Sequence, residues 1–343
     1  MHVLIILILL STSRPISSFS LVHSSNIQKS LKAVASGNGD TEQQVALESP
    51  AVSRMNDQMD VASKKMEEKA SKSLYLSNEA LEIIHEDEHI VVINKPAGIL
   101  SVPGKSDNPS LNKVVFDVVG CSMGRMDMMV VHRLGMDVSG LMVFAKTKRA
   151  VKGMNRSFRE RDVKRLYEAL VAGHIEYDEG FIELPLMRDL QNPPHMRVST
   201  DEEQRKLIHL TVDDIDKKFL EAPKESLTKY TVIKREELEG LPVTRVLLDS
   251  VTGRANQLNV HLAAFGHPIV GDTEYGAGGG AVPFGGLTPS ERDELVFNPK
   301  PAPLHIQEKV NDCVSKPYVH AKAISFEHPA TGEEVSFSIN APF

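Results

Sequence analysis

The chain has 343 residues, 41% of them apolar and 25% charged, with a formal charge of −7 and two cysteines. That is ordinary globular composition for one large domain or two small ones, and it excludes fibrous, collagenous and mainly disordered classes. Cys121 and Cys313 lie far apart, with no CxxC spacing and no clustered histidines, so neither a disulfide framework nor a metal site is expected.

The N-terminus, "MHVLIILILLSTSRPISSFSLVHSS", carries an apolar core from Val3 to Leu10 that is too short to span a bilayer. No Asp or Glu precedes Asp40, while Arg14, Lys29 and Lys32 supply positive charge. Residues 1–39 therefore read as a targeting presequence, with no stable membrane association once it is removed. The tract "ISSFS" resembles the bipartite presequences of algae with complex plastids; a mitochondrial or secretory address fits the same features, and an organelle, plastid or mitochondrion, is the expected destination. Residues 40–78 are polar and poor in aromatics, which reads as a partly disordered linker or a frayed helix. The folded domain is expected over 79–343.

Within that domain "HIVVINKPAGIL" gives a β-branched strand at Ile90–Ile93, a turn at Lys95, Pro96 and Gly98, and a second apolar run, a hairpin-like edge. "VVHRLGMDVSGLMVFAK", residues 130–146, reads as strand, polar loop, strand. From Lys146 to Arg165 nine Lys or Arg stand against Glu160 and Asp162. Such a run is either a solvated helix face or a track for an anionic partner, and the overall negative charge argues mildly against nucleic acid.

"LYEALVAGHI" and "SLTKYTVIKREE" read as further strands. "VTRVLLDSVTGRANQLNVHLAAFG" reads as strand, Gly-containing turn and helix, with Leu258, Leu262 and Phe265 on one helical face and Gly266 as the stop. "YGAGGGAVPFGG" lacks the Lys-Ser/Thr of a phosphate-cradling loop and reads as a flexible surface loop. Strands and helices mix without regular alternation, which favours α+β over a doubly wound parallel sheet.

Four stretches in order resemble the RluA-type family of RNA pseudouridine synthases. "INKPAGILSVPG" is similar to that family's first motif, and "HRLGMDVSG" to its signature H-R-L-D-x-x-T-S-G. "TGRANQLNVHLAAFGHPIVGDTEYG" is similar to T-G-R-T-H-Q-I-R-x-H-L followed by G-x-P-I-x-G-D-x-x-Y-G, and "VHAKAISFEHPATGEE" closes the pattern. The resemblance implies an α+β domain with a mixed, mostly antiparallel bent sheet, flanking helices and a central cleft that takes a flipped-out uridine from RNA. It implies a monomer with RNA as its partner and no cofactor. The family reaction detaches uracil from C1′, turns it and rejoins it through carbon. It needs one aspartate, because the electron-poor sugar must be trapped or deprotonated by a nearby carboxylate.

In this chain that position is Gly135. Asp137, two residues on, occupies a slot that varies within the family and is a weak surrogate. The family's arginine that pairs with the aspartate is replaced by Asn259, and Asn256 stands where the family has histidine. Losing one partner of a buried ion pair costs ~3–5 kcal/mol through the uncompensated survivor, so the two losses make sense together.

By the same resemblance Tyr167 lies against the target base. Arg133, Arg254 and Lys95 are expected to hold phosphates or orient loops, and Lys146, Lys148, Arg149, Lys152, Arg156 and Arg159 to track the RNA backbone. His132 reads as a packed histidine rather than a proton shuttle. The expected function is RNA binding with weak or absent uridine isomerisation. The alternatives are an active synthase using Asp137 or another acid, and a non-catalytic protein-interaction scaffold.

Overall fold

A computed structural model describes residues 50–208, 222–296 and 300–343. The expected presequence 1–39 and residues 40–49 lie outside the described residues. By its contacts the chain divides into two units, residues 1–52 with 201–222, and residues 53–200 with 223–343. Of the first, the main described element is the helix α4 (Asp201–Ile208), which opens on three acids, Asp201, Glu202 and Glu203, suited to the positive end of its dipole. Everything that follows concerns the second.

Its centre is a nine-stranded sheet in the order β1-β2-β3-β10-β4-β9-β8-β5, with β11 attached to β10. The strands are β1 (Glu82–Glu86), β2 (Ile90–Lys95), β3 (Ser139–Ala145), β4 (Lys164–Ala172), β5 (Glu179–Glu183), β8 (Leu227–Leu238), β9 (Leu241–Ser250), β10 (Val319–Glu327) and β11 (Glu334–Ser338). Two short strands, β6 (Leu186–Arg188) and β7 (Met196–Val198), pair separately. Every pairing between these strands is antiparallel except β3 beside β10. β10 pairs with β3 only at His320 and Ala321 and passes to β11 from Ala323 onward, a register shift that bends the sheet. The mixed, mostly antiparallel α+β architecture is the expected one.

The period-2 alternation of strands explains why β2 and β3 read as unbroken apolar runs. Ile90, Val92, Leu141 and Val143 fill one core cluster, with Ala150 and Met154 from the helix α3 (Lys148–Glu160). Val91, Ile93, Met142 and Phe144 fill the opposite cluster, with Leu111 and Val115 from α2 (Leu111–Val119). Where β3 starts beside β10, Gly140 has φ +110° and a Cβ there would lie 2.4 Å from the Ala321 carbonyl oxygen, so only glycine fits. The expected helix after the TGR turn is α5 (Gln257–Ala264), and Leu258, Leu262 and Phe265 are all buried in one cluster.

Three local expectations are corrected, and one left open between two readings is decided. The first apolar run of the signature stretch forms no strand; Val130 makes a single bridge to Phe144, and only β3 follows. β2 is internal, because β1 takes the edge. Of the two readings left open for residues 40–78, linker or frayed helix, residues 50–71 take the second as the helix α1 (Pro50–Ser71), whose Ala62 and Ala70 are buried. The glycine-rich tract is no loose loop: Gly285 packs against Ala264 and Val198, with Ala281 buried nearby.

Candidate active site and RNA-facing cleft

The signature loop between Val130 and β3 is held at alternate residues. His132 lies stacked on Phe158 at 4.9 Å and its Nε2 accepts the Val143 N–H. Burial pushes its pKa down to about 3, so it is a neutral, packed imidazole, as the sequence suggested. Leu134 is bonded through both its N–H and its carbonyl to Ser101 Oγ. The Met136 carbonyl accepts from Gly98 N–H.

Lys95 is the hub of this scaffold. Of the two roles expected for it, holding phosphate or orienting the loop, the structure fits only the second: it is wholly buried, and its Nζ donates to the carbonyls of Pro96, Met136 and Val138 at 3.1, 2.7 and 2.8 Å. Burial pushes its pKa down to about 7 despite the nearby Asp137 carboxylate. The reason is geometric: three carbonyls converging from two loops satisfy an ammonium completely, and leave it no phosphate to hold.

With 134, 136 and 138 pinned, residues 133 and 135 stand exposed. Arg133 has no hydrogen bond or ion pair among the described residues. Gly135 has no left-handed φ, and a Cβ built there meets only Val138 Cγ2, at 3.3 Å. The backbone therefore does not require glycine; a side chain fits.

The facing wall comes from α5 and the GDTEYG turn. Asn259 Nδ2 donates to Asp272 Oδ2 at 2.8 Å, and the other oxygen of the buried Asp272 accepts the N–H groups of Glu274 and Tyr275. Asn256 Nδ2 donates to the Tyr275 hydroxyl. Both asparagines are thus spent on this turn. Glu274 accepts from His195 Nε2 at 3.0 Å and from Lys69 Nζ at 3.0 Å.

Lys69, on α1, also lies 3.7 Å from the Asp137 carboxylate. Burial works against its charge, but Glu274, Asp137 and Asp272 together outweigh it and raise its pKa. One ammonium from a segment read as linker thus sits between the signature loop and the facing wall, with the Asp137 carboxylate turned toward it. Among the described residues no group of three metal-ligating side chains gathers.

His195 and Glu274 carry a pH signature. The His195 hydrogen bond and Lys69 hold the Glu274 carboxyl at about 2, below its usual 4.5; Glu274 in turn raises the His195 pKa above its usual 6.5. A depressed carboxyl stabilises the fold above its unfolded pKa and loses that contribution as pH falls from 4.5 toward 2. A raised histidine stabilises below 6.5 and loses its contribution as pH rises through the raised value. Thermal midpoints are expected to plateau between these limits, and Glu274→Gln to flatten both limbs. Parallel profiles for the two proteins would show that the pair is uncoupled from folding.

Tyr167, on β4, is half-buried against the cluster containing Leu134 and Ala321, and burial raises its pKa, so the phenol is neutral. Arg254, in the TGR turn, donates from Nε to the Glu225 carbonyl. Of the basic run, Lys148, Arg149, Lys152, Arg156 and Arg159 are exposed on α3. Lys146 is not part of that surface: its Nζ is bound to Glu86 and to the Asp87 carbonyl. Phe158 joins the C-terminal end of α3 to the signature loop, because His132 and Arg165 both lie on its ring. The sequence reading missed Lys69, Glu274 and His195 and took Arg165 only as one charge of the basic run; of the three missed, only Glu274, inside the GDTEYG motif, carried a local signal.

A sequence profile described as RNA pseudouridylate synthase matches residues 89–264. The Dual-specificity RNA pseudouridine synthase RluA of Pasteurella multocida is 35% identical over 266 residues, 77% of this chain and 94% of that protein. The protein of the same name from Vibrio vulnificus is 42% identical over 215 residues, 62% of this chain and 74% of that one. Among solved structures, Human RNA Pseudouridylate Synthase Domain Containing 1 superposes with a TM-score of 0.53 at 25% identity, covering 79% of this chain and 87% of that one. Human RNA Pseudouridylate Synthase Domain Containing 4 shares the fold, with a TM-score of 0.51 at 23% identity over 84% of this chain and 94% of the other.

Proposed function

Because this chain belongs to the RNA pseudouridylate synthase family, we propose that it binds uridine-containing RNA in the cleft and, with glycine at 135, isomerises uridine slowly or not at all. The observation that carries this reading is the state of position 135. The loop is fully braced, the position is open and ready for a side chain, and the carboxylate the chemistry needs is missing. The Asn259 amide is committed to Asp272, so no arginine waits there for a partner.

RNA approaches along the exposed cations of α3, with Lys148, Lys152 and Arg156 at four-residue spacing on one face, and the target base stacks on Tyr167. The protein acts as a monomer without metal or cofactor, in an organelle addressed by residues 1–39. The test incubates the purified protein with organellar RNA and maps new pseudouridines, while salt titration of RNA binding reports phosphate pairing. Sites modified by the unaltered protein at rates typical of the family would overturn the silent reading. Salt-independent or absent RNA binding would leave the protein-scaffold reading instead.

A second reading is favoured by one observation, the Asp137 carboxylate turned toward Lys69 and the Asp272–Glu274 wall rather than to open solvent. In it Asp137 serves the sugar, and Asp137→Asn abolishes whatever product the unaltered protein makes.

Lys69 enters the same account as a plug, since its ammonium fills the space between the two walls. Neutralising a lysine ordinarily weakens RNA binding, because one fewer phosphate is neutralised and fewer counterions are released. Lys69→Gln is expected to do the opposite and tighten binding of a uridine-containing hairpin several-fold. Its two partly exposed ion pairs hold α1 in place by roughly 1 kcal/mol together. Weaker binding by the variant would mean that Lys69 touches RNA and is not a plug.

A further inference from the structure

We infer that Arg165, Arg254 and Arg161 form a subsite for the phosphodiester next to the uridine whose base lies on Tyr167, an inference that rests on the RNA-binding reading above. Three elements bring these guanidinium groups to one rim: the C-terminus of α3, the start of β4 and the TGR turn. Arg161 and Arg165 fall in the basic run Lys146–Arg165, and Arg254 was expected to hold phosphate or orient its loop; their grouping into one subsite was not read from the sequence.

Arg165 is the centre. Its Nη2 donates to the Ser250 carbonyl at 3.3 Å and its guanidinium lies over the Phe158 ring, 5.9 Å from the centroid. Its Nε is buried and has no hydrogen-bond partner among the described residues. A buried cationic donor left unpaired is costly, and an anion that supplies the missing acceptor removes the cost.

The TGR turn is shaped to this side chain. A Cβ at Gly253 would stand 2.8 Å from Arg165 Nη2 and 3.1 Å from Nη1, so glycine there makes room for the guanidinium and not for an unusual backbone angle. Arg165 and Tyr167 are two residues apart on β4 and share a face, roughly 6.6 Å apart along the strand. That is the scale separating a nucleobase from its flanking phosphate.

Of the other two arginines, Arg254 follows Gly253 in the turn that meets Arg165, and Arg161 ends α3 four residues before Arg165. Burial lowers the Arg254 pKa, and the like charge of Arg161 lowers it further, against partial relief from Glu225. Arg161 caps α3 at φ +68°, a left-handed position that glycine usually takes. Keeping arginine there accepts backbone strain, and it puts a cation with no partner among the described residues beside Arg254. Neither guanidinium has an ion pair among the described residues, and Arg254 spends only its Nε on the Glu225 carbonyl, so both keep donors free for an anion, and an RNA phosphate accepts bidentate pairing from such forks.

The test measures binding of a fluorescent RNA hairpin with loop uridines as a function of salt. The full-length protein is compared with Arg165→Gln, Arg165→Lys and Arg161→Gly/Arg254→Ala. Arg161→Gly relieves the strained backbone but Arg254→Ala gives up the bond to the Glu225 carbonyl, so the thermal midpoint of the double variant is measured beside its binding, and weaker binding supports the subsite only at an unchanged midpoint. The double variant is expected to bind about tenfold more weakly, with the salt slope shallower by roughly 0.7–0.9 for each phosphate no longer neutralised. A hairpin carrying one neutral methylphosphonate beside the target uridine is expected to weaken binding to the unaltered protein, yet make no further difference to Arg165→Gln. Arg165→Lys restores charge but not the fork, and is expected to recover only part of the affinity. Full additivity of the methylphosphonate and Arg165→Gln effects, or unchanged slopes in the arginine variants, overturns the subsite while leaving RNA binding standing. Failure of the unaltered protein to bind the hairpin at any salt overturns both.

Discussion

Replacing Gly135 with aspartate and Asn259 with arginine is expected to raise pseudouridine formation by at least about a hundredfold over the unaltered protein, the lower end of what one positioned proton-transfer group contributes. The loop already supplies the setting. Its backbone is fixed by Lys95, Ser101 and Gly98 on one side of residue 135, and position 135 itself accepts a Cβ with only Val138 Cγ2 asked to yield a few tenths of an ångström.

Each single change is expected to fall well short. Aspartate alone faces a wall whose cation is absent, and an arginine at 259 alone is absorbed by Asp272, which already accepts from that position. Strong non-additivity is the diagnostic result, because the two groups act as one unit. The readout is single-turnover release of the uracil C5 hydrogen, which leaves as the new bond from C1′ to C5 forms. A double variant that binds RNA like the unaltered protein yet releases no more hydrogen would remove the missing carboxylate as the explanation. Equal release from the unaltered protein would return the chemistry to Asp137.

The motifs were legible because each is a loop whose residue types are set by tight local geometry, and β2, β3 and α5 were legible because burial writes itself into apolar period. The expectation that Gly135 and Asn259 stand where the family carries aspartate and arginine came from the same register, since a loop read in register shows which residue fills each slot. What the sequence did not disclose was long-range pairing. Among its described side chains α1 fully buries Ala62 and Ala70, too few apolar positions to distinguish a docked helix from a linker. Lys69 looks like any solvated lysine until Asp137 and Glu274 meet it from residues far along the chain. Arg165 reads as one charge in a basic run, and its distinction lies in Gly253, which only the folded sheet brings alongside. Val130 and Val131 misled for the opposite reason, since a short apolar run does not say whether it lies in a strand or merely in a core.

Lys95 is the residue whose loss should be felt most in the fold. Lys95→Met keeps most of the volume and apolar length but leaves the carbonyls of Met136 and Val138, and that of Pro96, without their donor. At ~1–3 kcal/mol for each buried acceptor left unsatisfied, the loss is expected to be about 3 kcal/mol or more, a large share of the stability of a domain of this size. Denaturant unfolding reads that loss directly, and a variant as stable as the parent would show that the carbonyls find other donors. The same substitution separates structure from binding. If Lys95 braces the signature loop, as its burial dictates, RNA affinity falls through disorder of Arg133 and Asp137, and added stabilisers that restore the fold also restore affinity. If instead the lysine reached phosphate, affinity would fall with the fold intact and the salt slope would become shallower by the share of a single phosphate. On the RNA-binding reading proposed above, the buried lysine has a use even with glycine at 135: it holds the loop in shape as a surface for a bound molecule, which offsets the cost of taking an amine out of water.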